Sequence, residues 1–329
     1  MKKIFVTRPI QPIGLDMLRK EGYRVVVRKK KTVPSKKELQ SAVREYDALL
    51  CLLTDRIDVD VLRAAGGQLK IISNFAVGYD NIDVAIAQKK GIVIANTPCE
   101  EVSDAVADHT IALIFALERK IVASDTFMRK GSYKCWDPMI FVGEGITGKT
   151  VGLLGLGRIG KSVAQRLEEG FKTPILYHDI RRDEAFEKKF NAVYREPQEL
   201  LAQADIVSLH VPLLPSTRHM INSKALRTMK KGALLINTAR GAIVDQHAIV
   251  MALKKGMLGG FATDVYECEP SVACVVSDRR AMLKSGKCVF TPHIASATST
   301  ARNAMSRIAA QNIIDVFQGR PPQSAVQAP

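Results

Sequence analysis

The sequence has no long apolar segment. No uncharged apolar run approaches the roughly 20 residues that a membrane-spanning helix requires. The N-terminus enters a strand-like stretch at residues 3–7 and lacks the apolar core and cleavage site of a signal peptide. These features favour a cytoplasmic protein.

Cysteine is scarce and scattered. The 329 residues include six cysteines and no C-x-x-C pair, and no group of Cys, His, Asp and Glu has metal-site spacing. We therefore expect no metal. Because the cytosol keeps thiols reduced, we interpret the cysteines as reduced and mostly structural. They are Cys51, Cys99, Cys135, Cys268, Cys274 and Cys288.

Acidic residues are outnumbered, with 33 Asp and Glu against 48 Lys and Arg and a net charge of +15. The densest basic run, residues 28–31 with Lys36 and Lys37, has no interleaved aromatic residues and no nucleic-acid-binding motif beside it. We interpret it as solvated surface and expect neither nucleic acid nor membrane as a partner. A positive field would still raise the association rates of anionic ligands.

The chain is long enough for two domains, and strand-like and helix-like segments alternate in its first 100 residues. This alternation predicts a parallel sheet covered by helices. Ser35 and Glu38 form a capping box that starts a helix. Strands are predicted at 3–7, 23–28, 47–53, 69–74 and 92–95, and helices at 12–21 and 36–45.

A second alternating series follows a helical segment at 104–129 and a loop at 131–148, which contains the only tryptophan, Trp136. It predicts a second doubly wound sheet. A last helix at 301–318 comes after this sheet is complete, so we expect it to pack on the first domain. Strands are predicted at 150–154, 174–178, 205–210, 233–237, 260–264 and 288–292, and a helix at 246–254.

A glycine-rich turn links the strand at 150–154 to the next helix. Gly155, Gly157 and Gly160 form the pattern G-x-G-x-x-G, and Asp179 follows nineteen residues after Gly160, just past the next strand. Glycines there allow a pyrophosphate to approach a helix N-terminus, and an acid at this spacing binds the adenosine ribose. In this context the pattern predicts a dinucleotide site.

Three polar segments follow later strands, at residues 237–241, 264–270 and 291–296. In open α/β sheets, ligands bind at the carboxyl ends of strands. The segments carry Arg240, Glu269 and His293. Beside a nicotinamide cofactor that gives a hydride, a protonated imidazole would give a proton and a guanidinium would hold an anionic substrate. This set therefore suits carbonyl reduction.

Over essentially its whole length the chain resembles the D-isomer-specific 2-hydroxyacid dehydrogenases, and among them the glyoxylate/hydroxypyruvate reductase branch. The motifs that carry the resemblance lie at 76–83, 152–160, 235–241 and 291–294. It implies an NAD-binding Rossmann domain, residues 101–296, inserted into a flavodoxin-like substrate domain, residues 1–100 plus 297–329. It also implies a homodimer that reduces a small 2-oxo acid to the D-2-hydroxy acid.

The resemblance assigns the catalytic roles. His293 would be the general acid in reduction, and Glu269 would pair with it and favour its charged form. Arg240 would bind the substrate carboxylate and carbonyl through its planar fork. Glu267 is a competing carboxylate, but Glu269 matches the Glu-Pro pattern. The remaining histidines are interpreted as structural: His109, His178, His210, His219 and His247.

The binding residues follow from the same resemblance. The backbone N–H groups of Val77 and Gly78 would bind the substrate carboxylate. Leu53 would border the substrate and favour a short one, glyoxylate or hydroxypyruvate. The cofactor-binding residues would be Gly155, Gly157, Arg158, Ile159, Gly160, Asp179, Thr238, Ala239, Asp264 and His293, with Asp264 on the nicotinamide carboxamide. Asp179 would repel a 2′-phosphate and favour NAD(H), while Arg181 and Arg182 leave NADP(H) open.

Several alternatives stay open. Phosphonate (phosphite) dehydrogenases share the catalytic trio but have a lysine where this chain has Val77. A short phosphoglycerate dehydrogenase is another option, and a non-catalytic NAD-sensing corepressor shares the fold but usually has extra tails. Trp136 fits either interdomain packing or a contact with a partner's active site. Two departures from the family pattern are the loop at 271–287, which lacks the usual prolines, and Ala295, where glycine is common.

Overall fold

A computed structural model of the chain describes residues 1–269 and 276–327. The chain divides into two compact units. Unit 1 comprises Met1–Val102 and Ala297–Pro329, and unit 2 comprises Ser103–Ser296. Each unit has a parallel β-sheet with helices packed on it, which confirms the predicted α/β class with two parallel sheets.

Strands and helices alternate along most of residues 1–269 and 276–327. The strands are β1 (Lys3–Val6), β2 (Arg24–Val27), β3 (Ala48–Leu52), β4 (Ile71–Phe75), β5 (Val93–Ala95), β6 (Val151–Leu154), β7 (Ile175–His178), β8 (Val193–Tyr194), β9 (Ile206–Leu209), β10 (Ala233–Asn237), β11 (Leu258–Thr263) and β12 (Cys288–Phe290). The α-helices are α1 (Pro12–Lys20), α2 (Lys36–Glu45), α3 (Val59–Arg63), α4 (Val84–Lys89), α5 (Glu100–Glu118), α6 (Ile121–Arg129), α7 (Arg158–Phe171), α8 (Glu184–Phe190), α9 (Pro197–Gln203), α10 (Ser223–Thr228), α11 (Gln246–Lys254), α12 (Val276–Lys284) and α13 (Ser299–Phe317).

Unit 1 has the strand order β2-β1-β3-β4-β5, which is the flavodoxin-like order. Helix α2 begins with the predicted capping box: Ser35 Oγ accepts from Glu38 N, and Ser35 N donates to Glu38 Oε2 at 2.8 Å. The last helix, α13, packs on α1 and β4, as the sequence predicts, and Ser73 Oγ donates to the Ala309 carbonyl at 3.0 Å.

Unit 2 has the strand order β12-β11-β10-β9-β6-β7-β8. The chain starts in the middle at β6, winds outward to β8, then returns to β9 and winds outward in the other direction. This is the doubly wound Rossmann order with one more strand. Strands β6, β9 and β10 are buried along their whole length because helices cover both faces of the sheet.

The structure differs from the predictions at three places. The predicted helix to residue 129 is interrupted at Lys120, whose φ of +51° is left-handed and ends one helix before the next begins. In the predicted loop at 271–287, residues 276–284 form α12, and residues 271–275 lie outside the described residues. The interpretation of all six cysteines as reduced is wrong for Cys268, which is disulfide-bonded. A reducing compartment says nothing about which two cysteines a fold brings close together.

The described cysteines that form no disulfide are Cys51, Cys99, Cys135 and Cys288. Burial raises the pKa of Cys288 to about 11, so this thiol stays protonated at neutral pH. Cys274 lies outside the described residues. No helix within the described ranges combines the length and apolar character needed to cross a membrane.

Candidate active site

The glycine turn after β6 has the shape that a dinucleotide needs. Gly155 has a φ of +100°, and a Cβ there would lie 2.7 Å from the carbonyl carbon of His210. A Cβ on Gly160 would lie 2.2 Å from the Gly155 oxygen, whereas one on Gly157 would enter open space. Gly157 is the N-cap of α7 and provides no side-chain cap. The turn therefore leaves room for a pyrophosphate at the start of this helix.

Asp179 lies beside this turn, just after β7. Its Oδ2 accepts a hydrogen bond from the Leu156 backbone N–H at 2.7 Å, which fixes the carboxylate against the turn. This is where an acid binds the adenosine ribose in a Rossmann fold. Arg158 is exposed in the first turn of α7, and Ile159 packs partly into the core beneath.

Burial of His210, next to the turn, lowers its pKa to about 4. Its Nε2 lies 2.9 Å from Ser208 Oγ. The imidazole is therefore neutral at physiological pH, and the carbonyl group of the same residue closes one side of the glycine turn. This agrees with the structural role predicted for His210.

Arg240 lies after β10 in a loop with little freedom. Its Nη1 donates to the Ala239 carbonyl at 2.8 Å, and its own carbonyl accepts from Asn237 Nδ2 at 2.9 Å. A Cβ at Gly241 would lie 1.9 Å from the carbonyl carbon of Tyr266, so only glycine lets the two loops pass this closely. Arg240 is thereby held next to the loop after β11.

Two further predicted cofactor residues, Thr238 and Ala239, belong to the same loop. The Thr238 hydroxyl is buried and lies 2.9 Å from Thr110 Oγ1 on α5. The Ala239 N–H donates to Asn237 Oδ1 at 3.1 Å. These bonds set the path of the backbone that leads into Arg240.

Glu269 and His293 form a direct pair. Glu269 Oε2 lies 2.6 Å from His293 Nδ1, and Oε1 accepts from the Tyr266 N–H at 2.9 Å. The side chains of His293 and Glu269 are 25% and 26% exposed. Because a carboxylate only accepts, Nδ1 carries the proton and Nε2 is the nitrogen available for proton exchange. The competing acid, Glu267, pairs instead with His219 at 2.6 Å.

Asp264 holds the loop that carries His293. Its carboxylate is fully buried and accepts hydrogen bonds from Thr291 Oγ1 (2.6 Å), Ile294 N (2.8 Å) and Ala295 N (2.8 Å). The His293 N–H donates to the Asp264 carbonyl at 2.9 Å. His293 has a φ of +55°, an uncommon conformation outside glycine that costs about 1–2 kcal/mol. These hydrogen bonds hold the His293 backbone in that conformation and so fix the position of its imidazole.

Three residues that the sequence did not indicate support the same loop. Thr291 donates its hydroxyl proton to Asp264, so His109 Nε2–H, 3.0 Å away, donates to Thr291 Oγ1. Tyr266 donates its hydroxyl to the Thr291 carbonyl at 2.9 Å. Burial, with Asp264 and Glu269 nearby, raises the pKa of Tyr266 to about 12, so it stays a neutral donor.

In unit 1, the predicted N–H groups of Val77 and Gly78 have a fixed direction. The Ala76 carbonyl accepts from the Thr97 N–H at 2.9 Å, and the Val77 carbonyl accepts from Asn96 Nδ2 at 2.7 Å. In a trans peptide the C=O and N–H point in opposite directions, so both N–H groups point away from residues 96–97. Two adjacent N–H groups with a common direction suit a carboxylate.

Leu53 lies in a loop that the same unit holds firmly. The buried Asp55 carboxylate accepts from Leu52 N at 2.8 Å and from Thr7 Oγ1 at 2.5 Å. Asn81 Nδ2 donates to the carbonyls of Leu52 (3.2 Å) and Asp55 (3.0 Å), and its Oδ1 accepts from Asn74 Nδ2 at 3.1 Å. Asn74 in turn donates to the Gly78 carbonyl at 2.9 Å. One network therefore positions Leu53 and Gly78.

The chain as a whole is similar to known proteins. Residues 111–295 match the model of the NAD binding domain of the D-isomer specific 2-hydroxyacid dehydrogenases. The chain is 46% identical to the glyoxylate reductase of Thermofilum pendens over 98% of this chain and 94% of that protein. It belongs to the D-isomer-specific 2-hydroxyacid dehydrogenase family.

Solved structures have the same fold. A Thermus thermophilus protein superposes with a TM-score of 0.90 at 37% identity, covering 99% of this chain and 100% of its own. The NADPH-dependent glyoxylate/hydroxypyruvate reductase of Sinorhizobium meliloti, in complex with NADP and malonate, superposes with a TM-score of 0.84 at 30% identity. The match covers 99% of this chain and 96% of that reductase chain. The predicted resemblance is confirmed, and as a 2-hydroxyacid dehydrogenase the protein is an oxidoreductase with a nicotinamide cofactor.

Proposed function

We propose that the protein reduces glyoxylate or hydroxypyruvate to the corresponding 2-hydroxy acid with NADH, and that hydroxypyruvate gives the D-isomer. The observation that carries this proposal is the Glu269–His293 pair, joined at 2.6 Å and left with a partly exposed imidazole. The choice of substrate is supported by relatives, since the reductases of Thermofilum pendens and Sinorhizobium meliloti bear these substrates in their names.

Each side chain of the trio has a defined role in this proposal. A bound nicotinamide cofactor supplies the hydride. His293 Nε2 donates a proton to the carbonyl oxygen of the substrate, and Glu269 stabilises the positive charge that the imidazole carries before the transfer. Arg240 binds the substrate carboxylate and polarises the carbonyl with its planar guanidinium.

Unit 1 contributes three residues in the proposal. The N–H groups of Val77 and Gly78 bind the carboxylate, supported by their fixed direction, and Leu53 limits the length of the substrate side chain. The apolar residue at Val77 also argues against phosphite oxidation, since the enzymes with that activity have a lysine there.

The preference for NADH is supported by Asp179. Its carboxylate is fixed at 2.7 Å from Leu156 N, so a 2′-phosphate on the ribose would meet a negative charge that cannot turn away. We therefore infer tighter binding of NADH than of NADPH.

A substrate panel tests the proposal. Purified protein is offered glyoxylate, hydroxypyruvate, pyruvate and phosphohydroxypyruvate with NADH or NADPH, and phosphite with NAD, and the nicotinamide absorbance is followed. We expect the highest kcat/KM for glyoxylate or hydroxypyruvate with NADH. Phosphite oxidation without reduction of any 2-oxo acid would overturn the proposed substrate. Nucleotide binding without any turnover would instead indicate the corepressor alternative.

Replacing Asn96 with alanine tests the two N–H groups of unit 1. The Val77 carbonyl loses its 2.7 Å hydrogen bond, so the Gly78 N–H loses its fixed direction. One hydrogen bond of this kind corresponds to about fivefold in affinity, so we expect KM for glyoxylate to rise about fivefold with kcat nearly unchanged. Asn222→Ala, which removes the N-cap of α10, is the control and should lower stability alone. An unchanged KM in Asn96→Ala contradicts the proposed carboxylate site.

We also propose that the protein is a homodimer, supported by an exposed apolar surface on unit 2. This surface consists of Ile121, Val122, Met128, Tyr133, Trp136, Met139 and Val142, with Trp136 and Met139 76% and 77% exposed. Seven exposed large apolar side chains within residues 121–142 are a feature typical of interaction surfaces. The cytoplasmic location expected from the sequence stays a prediction.

Aspartates at Trp136 and Met139 test the dimer. Two charges on this surface should cost enough binding energy to give a monomer at micromolar concentration, as measured by light scattering after gel filtration. Leu283→Asp is the control, because Leu283 is 62% exposed and lies on α12. If the wild type is a dimer and the double variant has the same mass, the interface lies elsewhere. If the wild type is a monomer, the proposal of a homodimer is overturned.

A further inference from the structure

The loop after β7 carries two arginines close to Asp179, and one of them is already bound. Arg182 Nε donates to Glu187 Oε1 at 2.7 Å, and Arg182 Nη2 donates to Glu187 Oε2 at 2.7 Å. This is a bidentate pair, the strongest geometry between these two groups. Arg181, by contrast, is exposed and outside this pair. Of the two cations that could meet a 2′-phosphate, Arg182 is therefore held by the protein itself.

Glu187 is in turn held from inside the unit. Its Oε1 accepts the hydroxyl proton of Tyr177 at 2.7 Å, and Tyr177 is fully buried. The same hydroxyl accepts from the Asp183 N–H at 2.8 Å, so it ties α8 to the loop that carries both arginines. The Glu187 side chain is 13% exposed, whereas that of Arg182 is 58% exposed. The acid is thus the fixed partner and the arginine the one that could move.

The charges of both groups are stable in this arrangement. The hydrogen bonds from Arg182 lower the pKa of Glu187, so the carboxylate stays ionised at neutral pH. Burial raises the pKa of Tyr177 to about 12, so its hydroxyl keeps the proton that it donates. A neighbouring cation on α7, Lys161, forms an ion pair with Asp183.

We propose that Glu187 is a specificity-determining residue for the cofactor, which acts by keeping the Arg182 guanidinium away from the ribose. This inference rests on the proposed NADH-dependent function. Asp179 repels a 2′-phosphate directly, and Glu187 removes the cation that would offset that repulsion. Without Glu187, the Arg182 guanidinium, three residues along the chain from Asp179, would be available to bind a 2′-phosphate.

Glu187→Gln tests the inference. Glutamine keeps an oxygen that can accept from the buried Tyr177 hydroxyl but loses the charge that holds Arg182, so the fold is kept. We expect the dissociation constants of NADPH and of 2′,5′-ADP to fall about fivefold, which is the size of one partly exposed ion pair. Those of NADH and 5′-AMP should change less than about twofold. Isothermal titration calorimetry with the four nucleotides measures binding without catalysis.

Two further variants separate this mechanism from a general charge effect. Glu184→Gln removes the same charge from the first turn of the same helix at an exposed position, and should leave the ratio of NADPH to NADH affinity unchanged. Adding Arg182→Ala to Glu187→Gln should abolish the gain. An unchanged ratio in Glu187→Gln, or a gain that persists without Arg182, overturns this inference, while turnover of glyoxylate or hydroxypyruvate with NADH by the wild type upholds the proposed function. A wild-type protein that binds neither nucleotide overturns both.

Discussion

Replacing His293 with alanine lowers kcat for glyoxylate reduction by about a thousandfold, the middle of the range for the loss of a general acid. The methyl group leaves Glu269 without its partner at 2.6 Å and the substrate carbonyl without a proton donor. The glycine turn and Asp179 are unchanged, so the dissociation constant of NADH should stay within about threefold. Stopped-flow reduction at saturating glyoxylate gives kcat, and fluorescence titration gives NADH binding.

The backbone at His293 requires a second variant. Its φ of +55° is unfavourable for alanine, so part of any loss could come from the loop. Asparagine tolerates this region better and removes the imidazole as well, so His293→Asn should lose as much activity as His293→Ala. His247→Ala is the control, since His247 pairs with Asp278 and has no place in the proposed site. A kcat within about tenfold of wild type in both His293 variants refutes the assigned role.

The parts of the fold that the sequence predicted depend on neighbouring residues. The capping box of Ser35 and Glu38 is a local pattern, and the buried strands are apolar runs separated by amphipathic helices. The glycine pattern at 155–160 is a local pattern too, although the residue that Gly155 lies against, His210, follows the distant strand β9. Hence most strands of both sheets, though not β8 and not the strand order, could be predicted from reading the chain in segments.

The hydrogen bonds that position the site residues could not be predicted in this way. His109 and Thr291 are 182 positions apart in the chain, and nothing near either residue shows that they form a hydrogen bond. The same applies to Asn96 and Val77, where an amide side chain fixes the direction of a peptide group. Such contacts depend on how loops from different strands end up side by side, which apolar periodicity does not encode.

The choice between Glu267 and Glu269 shows the same limit at short range. Both acids follow β11, and each of them pairs with a histidine at 2.6 Å. A sequence pattern favoured Glu269, but only the geometry shows that Glu267 has a different partner, His219. Two residues along a tight turn are enough to send two carboxylates to different imidazoles.

Replacing Asp264 with asparagine should have the second largest effect, a loss of about a hundredfold in kcat. The carboxylate accepts three hydrogen bonds, from Thr291, Ile294 and Ala295, with no exposure to water. An asparagine in the same place has one acceptor oxygen, and its NH2 must face at least one of these donors. An unpaired buried donor costs about 1–3 kcal/mol, which is enough to release the left-handed conformation of His293.

The melting temperature and the binding of NADH distinguish this role from the one that the family resemblance suggests. If Asp264 acts by holding the loop at 291–295, Asp264→Asn should lower Tm by about 5 °C and should lower kcat strongly, with little change in NADH affinity. If Asp264 only binds the nicotinamide carboxamide, the substitution should weaken NADH binding and leave Tm nearly constant. Asp245→Asn is the matched control, because Asp245 caps α11 through the Ala248 N–H alone and asparagine caps equally well. Since the buried carboxylate already has three donors from residues 291–295, we expect the clamp to prevail.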